Sequence, residues 1–238
     1  MSGHSKWATT KNKKAAADAK KSSAFTKLSK NITVAARAGG DPTMNFSLRL
    51  AIDRAKAASM PKDNIERAVK RGTGELEGVV IEEVLYEGFG SSGVALMIEG
   101  VTDNKNRTTS DVKSVLTSHG GSLGGPNSVK WMFDRKGVIH LLPEQISDKD
   151  SMTMEMLDNG ADDVLEEDNG LTASCKFEDF EKLKKFLETK NIALEYAAIE
   201  WVKKEAVAVS DELREKITSL IEELEDNDDV NAVFSNMN

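Results

Sequence analysis

A single cysteine, Cys175, is all that the 238 residues contain, so no disulfide closes within the chain and a reducing compartment is expected. His4, His119 and His140 are scattered and none stands at ligand spacing from Cys175, which argues against a zinc site. Aromatic residues make up 5% of the chain, too few for a platform on which successive bases stack. No run approaches the roughly 18 apolar residues that a membrane-spanning helix needs, and the polar, lysine-rich start has no apolar segment of signal-peptide type. No membrane partner and a cytoplasmic location are therefore expected. The strings GxSxG, HExxH and the P-loop are missing too, so the expectation is a non-enzyme with no cofactor and no metal. G-x-G-x-x-G does occur, at Gly88, Gly90 and Gly93, but it joins two strand-like runs. A dinucleotide loop runs from strand into helix, so a hairpin turn is the better reading.

What the chain has in quantity is charge, 30% of residues, unevenly placed. Met1 to Glu75 holds 16 Lys and Arg against 6 Asp and Glu, a net of +10. The remaining 16 basic and 34 acidic residues give −18, which together make the overall −8. A polyanion is attracted to one end of such a molecule and repelled by the rest. The positive end starts with a leader carrying Lys6, Lys11, Lys13, Lys14, Lys20 and Lys21, with Trp7 as a ring able to stack or anchor. Contacts of this type engage phosphates without reading bases, and no duplex-reading pattern of the C2H2 or recognition-helix kind is evident.

Phe25, Leu28, Ile32, Ala35 and Ala36 recur at helical spacing from about residue 15 to 38, and Gly39-Gly40-Asp41-Pro42 ends the pattern. At about 100° per residue, Lys20, Lys27, Lys30 and Arg37 fall opposite that apolar face, a basic stripe continuing the leader. A second helix is predicted from about Asn45 to Ser59, with Leu48, Ala51, Ile52 and Ala55 inward. A third starts at Pro61, placed at the first helical position, buries Ile65, Ala68 and Val69 and stops at Gly72. Residues 1–76 thus read as a basic helical domain.

After the linker-like GTGELEG the period changes to that of strands. Glu82 to Glu87 and Val94 to Val101 form a hairpin, a helix follows TDNKNRT, and SVKWMF is read as the next strand, giving ββαβ. TDNKNRT places Asn104, Asn106 and Arg107 where a helix N-terminus favours anions, although helix capping uses the same groups. GGSLGGPNS reads as a C-cap and connector. The acidic groups Asp162-Asp163 and Glu166-Glu167-Asp168 read as solvated surface. From Gly137 onward a βαββαβ order of ferredoxin-like type follows. The amphipathic tail helix (Leu213, Ile217, Leu220, Ile221, Leu224) and a strand around Asn231 to Phe234 have no domain of their own. They are expected to complete the ββαβ unit, making 77–134 plus 207–238 one domain and 135–206 an insertion.

GHSKW, KKAAADAKK, FTKLSKNITVAARAGG, LRLAIDRAK, MPKDNIERAVKRGTG, YEGFG, TDNKNRT and WMFDRKGVI occur in this order over residues 3–139 and resemble the YebC/PmpR family of bacterial proteins. The resemblance implies an α+β fold of three domains, a helical N-terminal domain followed by two ferredoxin-like α/β domains, one inserted in the other. It also implies a DNA-binding transcriptional regulator or, by analogy with mitochondrial relatives, a translation factor on ribosomal RNA assisting elongation through sequences such as proline runs. Carried onto the matching positions, it points to Lys6, Trp7, Lys11, Lys13, Lys14, Lys20, Lys21, Asn104, Asn106 and Arg107 as nucleic-acid contacts. A monomer is expected.

Overall fold

The structure is a computed structural model and describes residues 21–167 and 169–238. Lys6, Trp7, Lys11, Lys13, Lys14, Lys20 and Asp168 lie outside the described residues, and of Lys21 only its place at the start of the first helix is described. Helix α1 (Lys21–Ala35) runs into a 3-10 turn, Ala36–Ala38, and is followed by α2 (Phe46–Ala57) and α3 (Lys62–Gly72). Ile32, Ala36, Leu48, Ala55, Met60, Ile65 and Ala68 are buried between them, with Phe25, Leu28, Ala51, Ile52 and Val69 packed against that core. Pro61 stands just before the first turn of α3, as its N-cap. Asn45 ties the corner: its Oδ1 accepts from Leu48 N at the start of α2, and its amide donates to the carbonyls of Ala35 and Gly39, both at 2.7 Å. An N-cap asparagine thereby also satisfies carbonyls left open at the end of α1.

Gly72 has a reason beyond ending a helix. A Cβ placed there would lie 2.3 Å from the Thr33 carbonyl oxygen and 2.5 Å from Ala36 Cβ, and the Thr33 hydroxyl donates to the Ala68 carbonyl at 3.2 Å. The two helices meet backbone to backbone. Gly72→Ala is therefore expected to destabilise the fold by about 2 kcal/mol in chemical denaturation. Helix propensity alone favours Ala by roughly 0.5–1 kcal/mol, so a more stable Ala variant would show that the close approach carries no weight.

β1 (Glu82–Phe89) and β2 (Ala95–Thr102) form the hairpin, closed by a 3-10 turn with Gly93 at φ +78°, so the G-x-G-x-x-G string does run from strand to strand. α4 (Lys105–Ser118) is followed by β3, only Ser122–Leu123, which pairs with β1. The strand expected at SVKWMF is absent: Lys130–Met132 form a 3-10 turn, and β4 begins at Phe133. Glu87 supplies the reason. Its buried carboxylate accepts the backbone N–H groups of Asn127, Val129 and Lys130 at 2.7–2.8 Å, curling the segment around it. Burial opposes ionisation of Glu87, but these three donors hold its pKa below the usual carboxylate value.

β4 (Phe133–Leu141), α5 (Lys149–Asp158), β5 (Ala161–Glu167), β6 (Gly170–Lys176), α6 (Phe180–Thr189) and β7 (Tyr196–Lys203) follow. Their strands form an antiparallel sheet in the order β5-β6-β4-β7, the ferredoxin-like arrangement. Phe180, Leu183 and Leu187 of α6 and Met156 of α5 are fully buried. Asp162, Asp163 and Glu166 stand exposed on β5, an edge strand, where charge discourages pairing with another chain. α7 (Asp211–Asp226) and β8 (Val230–Ser235) complete the other sheet, β3-β1-β2-β8, with β8 antiparallel to β2. Ile217, Leu220 and Leu224 of α7 share one buried cluster with Val112 and Leu116 of α4 and with Val84, Leu96 and Ile98. The tail thus returns to the sheet that the first hairpin starts. The fold is α+β. By its internal contacts the described chain forms two compact units, Trp131–Ala206 and a larger one of 21–130 with Val207–Met237.

Candidate nucleic-acid interface

The polar face of α1 is only partly open. Ser23, Lys27, Lys30 and Asn31, spaced at i, i+4, i+7 and i+8, turn toward the α7–β8 connection. The Ser23 hydroxyl donates to Asp228, Lys27 Nζ to the Glu225 carbonyl, Lys30 Nζ to Asp229 Oδ1, and Asn31 and Asn231 exchange amide hydrogen bonds. Lys27 and Lys30, read from the helical wheel as part of an outward basic stripe, are bonded to the α7–β8 connection and link the helical module to it. Arg37, the remaining described member of that stripe, is exposed.

Asp229 is the hub of this attachment and is 2% exposed. Besides Lys30, its carboxylate accepts from Arg107 Nη2 and from the Thr108 hydroxyl, both at 2.7 Å, and from the Thr102 hydroxyl at 3.1 Å. Its carbonyl accepts from Val101 N at 2.8 Å. Burial opposes the charge, yet the hydrogen bonds from Arg107, Lys30 and Thr108 outweigh it and hold Asp229 far below the ordinary carboxylate range. Arg107 also bonds Asp103 at 2.7 Å, and its two carboxylate partners raise its already high pKa further.

The Asn104 side chain caps α4, accepting from Arg107 N at 3.1 Å, while Arg107, Thr102 and Thr108 converge on the protein's own carboxylate. The anion at this helix N-terminus is Asp229. Asn106 stays exposed. Sequence reasoning missed Asp229 entirely, because it is one acid in the run Asn227-Asp228-Asp229 within a strongly acidic stretch.

The open cations of the helical module lie elsewhere. Arg54, Lys56, Lys62, Arg67, Lys70 and Arg71 are exposed on α2 and α3. Several of them stand in the last turns of their helices, where the dipole favours positive charge. Lys62 pairs with Glu66 at 3.4 Å. Arg67 and Arg71 have no ion-pair or hydrogen-bond partner among the described residues.

Other candidate chemistry is structurally accounted for. Cys175 is buried, and burial first, then Asp162 and Asp179, push its thiol up to about 12, leaving a protonated, poorly nucleophilic sulfur. His119 pairs with Glu223 at 2.7 Å, joining α4 to α7. His140 is buried between the Thr172 hydroxyl and the Asn169 carbonyl. Among the described residues no three His, Cys, Asp or Glu are placed to hold a metal ion, and no helix is long and apolar enough to cross a membrane.

A net-basic three-helix module, pinned by a buried carboxylate to an α+β domain whose chain a second α+β domain interrupts, is the architecture of a three-domain α+β protein. Residues 5–75 match the family model of the TACO1/YebC protein N-terminal domain, and residues 81–237 match that of the TACO1/YebC second and third domain. The chain belongs to the TACO1/YebC family. It is 51% identical to a probable transcriptional regulatory protein of Chlorobaculum tepidum, over 100% of this chain and 95% of that one. A protein of the same description from Halothermothrix orenii is also 51% identical, over 99% of this chain and 94% of its own. The crystal structure of a conserved hypothetical protein from Aquifex aeolicus superposes with a TM-score of 0.88 at 41% identity, covering 98% of this chain and 97% of that one.

Proposed function

We propose that this protein is a cytoplasmic, non-enzymatic regulator that binds nucleic acid through its basic end, in the first instance DNA as a regulator of transcription. The observation that carries the reading is the charge separation, +10 before residue 76 and −18 after it, with the first charge displayed on the leader and on the exposed faces of a small helical module. The names of the relatives support regulation. The contacts assigned to nucleic acid are the leader residues Lys6, Trp7, Lys11, Lys13, Lys14, Lys20 and Lys21, together with Arg37 and Asn106. Lys27, Lys30 and Arg107 act one step back by holding the module in place.

A second reading, binding to ribosomal RNA in support of translation, is favoured by the spread of the exposed cations over α2 and α3. A spread of this kind suits the phosphates of a folded RNA better than one groove of an operator. Fluorescence anisotropy with a labelled duplex DNA and a labelled ribosomal RNA fragment tests both. Binding at or below about 10 µM at physiological salt is expected for one of them, tighter than the weak end of non-specific association. Failure of both probes to bind at that concentration sinks the nucleic-acid reading.

A further inference from the structure

An open cleft of about 440 Å³ lies beside α1 and α3. Met60, Asn64, Arg67 and Arg71 form one of its walls, repeating at i, i+4, i+7 and i+11 as one stripe along α3 and the turn before it. Phe25 and Ile81 add apolar surface. Its charges are unequally engaged. Lys30 lines the cleft but is bonded to Asp229, and Asp103 lines it but is bonded to Arg107. That leaves Arg67 and Arg71, two exposed guanidinium groups one helical turn apart with no partner among the described residues. Like charges at this spacing repel each other, and an anion bound between them offsets that repulsion.

Guanidinium forks match phosphate oxygens in geometry as well as charge. A site for phosphate alone needs no apolar wall, and this cleft has one. Its volume falls in the range of about 300–1,000 Å³ typical of small-ligand sites. A base stacked and paired inside a duplex presents only its edge, whereas an unpaired nucleotide can splay its base onto a side-chain surface while its phosphate stays on the cations. We infer that the cleft takes one unpaired nucleotide of a single-stranded or looped nucleic acid, its phosphate on Arg67 and Arg71 and its base against Phe25, Met60 and Ile81. The inference rests on the nucleic-acid reading above and adds to it a preference for unpaired over paired substrate, located in the helical module instead of the leader.

The test is fluorescence anisotropy on the full chain with a labelled 12-nucleotide single-stranded RNA and the blunt duplex of the same sequence, for the parent and for Arg67→Gln/Arg71→Gln. Both side chains are exposed, so the variant is expected to fold, which its thermal melt checks. The parent should prefer the single strand. The variant should lose at least about tenfold on that probe and about twofold or less on the duplex, and its single-strand salt slope should fall by about 0.7, the value for one phosphate. A variant whose single-strand to duplex ratio equals the parent's overturns the inference and leaves the nucleic-acid reading standing. A parent that binds neither probe overturns the inference, and the nucleic-acid reading falls with it only if the duplex DNA and the ribosomal RNA fragment also fail to bind.

Discussion

Asp229→Asn lowers the stability of the fold by on the order of 3 kcal/mol, the scale of removing one partner from a buried charge cluster. The amide keeps the shape and one acceptor but leaves Lys30 and Arg107 without the carboxylate that both of them face. The loss should be local as well as global: amide exchange in α1 accelerates more than in β2, because α1 depends on the α7–β8 connection through Lys27, Lys30 and Asn31. Asp228→Asn, at the exposed neighbour, is the control and changes stability by about 0.5 kcal/mol or less. The pH dependence follows from the depressed pKa of Asp229. Its stabilisation is complete above the unfolded value of about 3.9 and is lost as pH falls through that value toward the lower folded one. The gap between parent and variant should therefore be constant from neutral pH down to about 5 and narrow below 4. A gap as wide at pH 2.5 as at pH 5 would show that Asp229 acts through packing and not through charge.

Changing Lys6, Lys11, Lys13, Lys14, Lys20 and Lys21 together to Ala has the largest expected effect on binding. If each neutralises one phosphate, the parent's affinity for duplex falls with salt with a slope of roughly −5, or about −4 on a single strand. Between 50 and 200 mM salt the parent then loses about a thousandfold in affinity for duplex. The six-lysine variant should bind duplex weakly at 50 mM and lose most of that slope on it, with its thermal melt unchanged. Equal slopes for the two proteins would move the phosphate contacts off the leader, onto the exposed cations of α2 and α3.

The helical module was legible because its signals are local. Apolar residues at three- and four-residue spacing pointed to Ile32, Ala36, Leu48, Ala55, Ile65 and Ala68, all of them buried, while the cap at Asn45 and the buried Met60 went unread. The interruption of one α/β unit by another was legible by subtraction: a helix and a strand were left over at the end, and a sheet was incomplete in the middle. The strand misread at SVKWMF shows where local pattern fails, since Glu87 reaches about 40 positions along the chain to curl that segment. Asp229 was hidden for the same reason on a larger scale. Its partners Lys30 and Arg107 stand 199 and 122 positions away, and no periodicity links them. The helical wheel correctly put Lys27 and Lys30 opposite the apolar core, but an outward position on one module became an inward one when a second element packed against it.

The measurement that bears most directly on the central claim is in-cell crosslinking and sequencing of the nucleic acid recovered with this protein, beside the six-lysine variant. The account predicts discrete enriched nucleic acid with the parent, promoter DNA for the transcriptional reading or ribosomal RNA for the translational one, and its loss with the variant. Recovery of the same nucleic acid by both proteins, or of none by the parent, would contradict it.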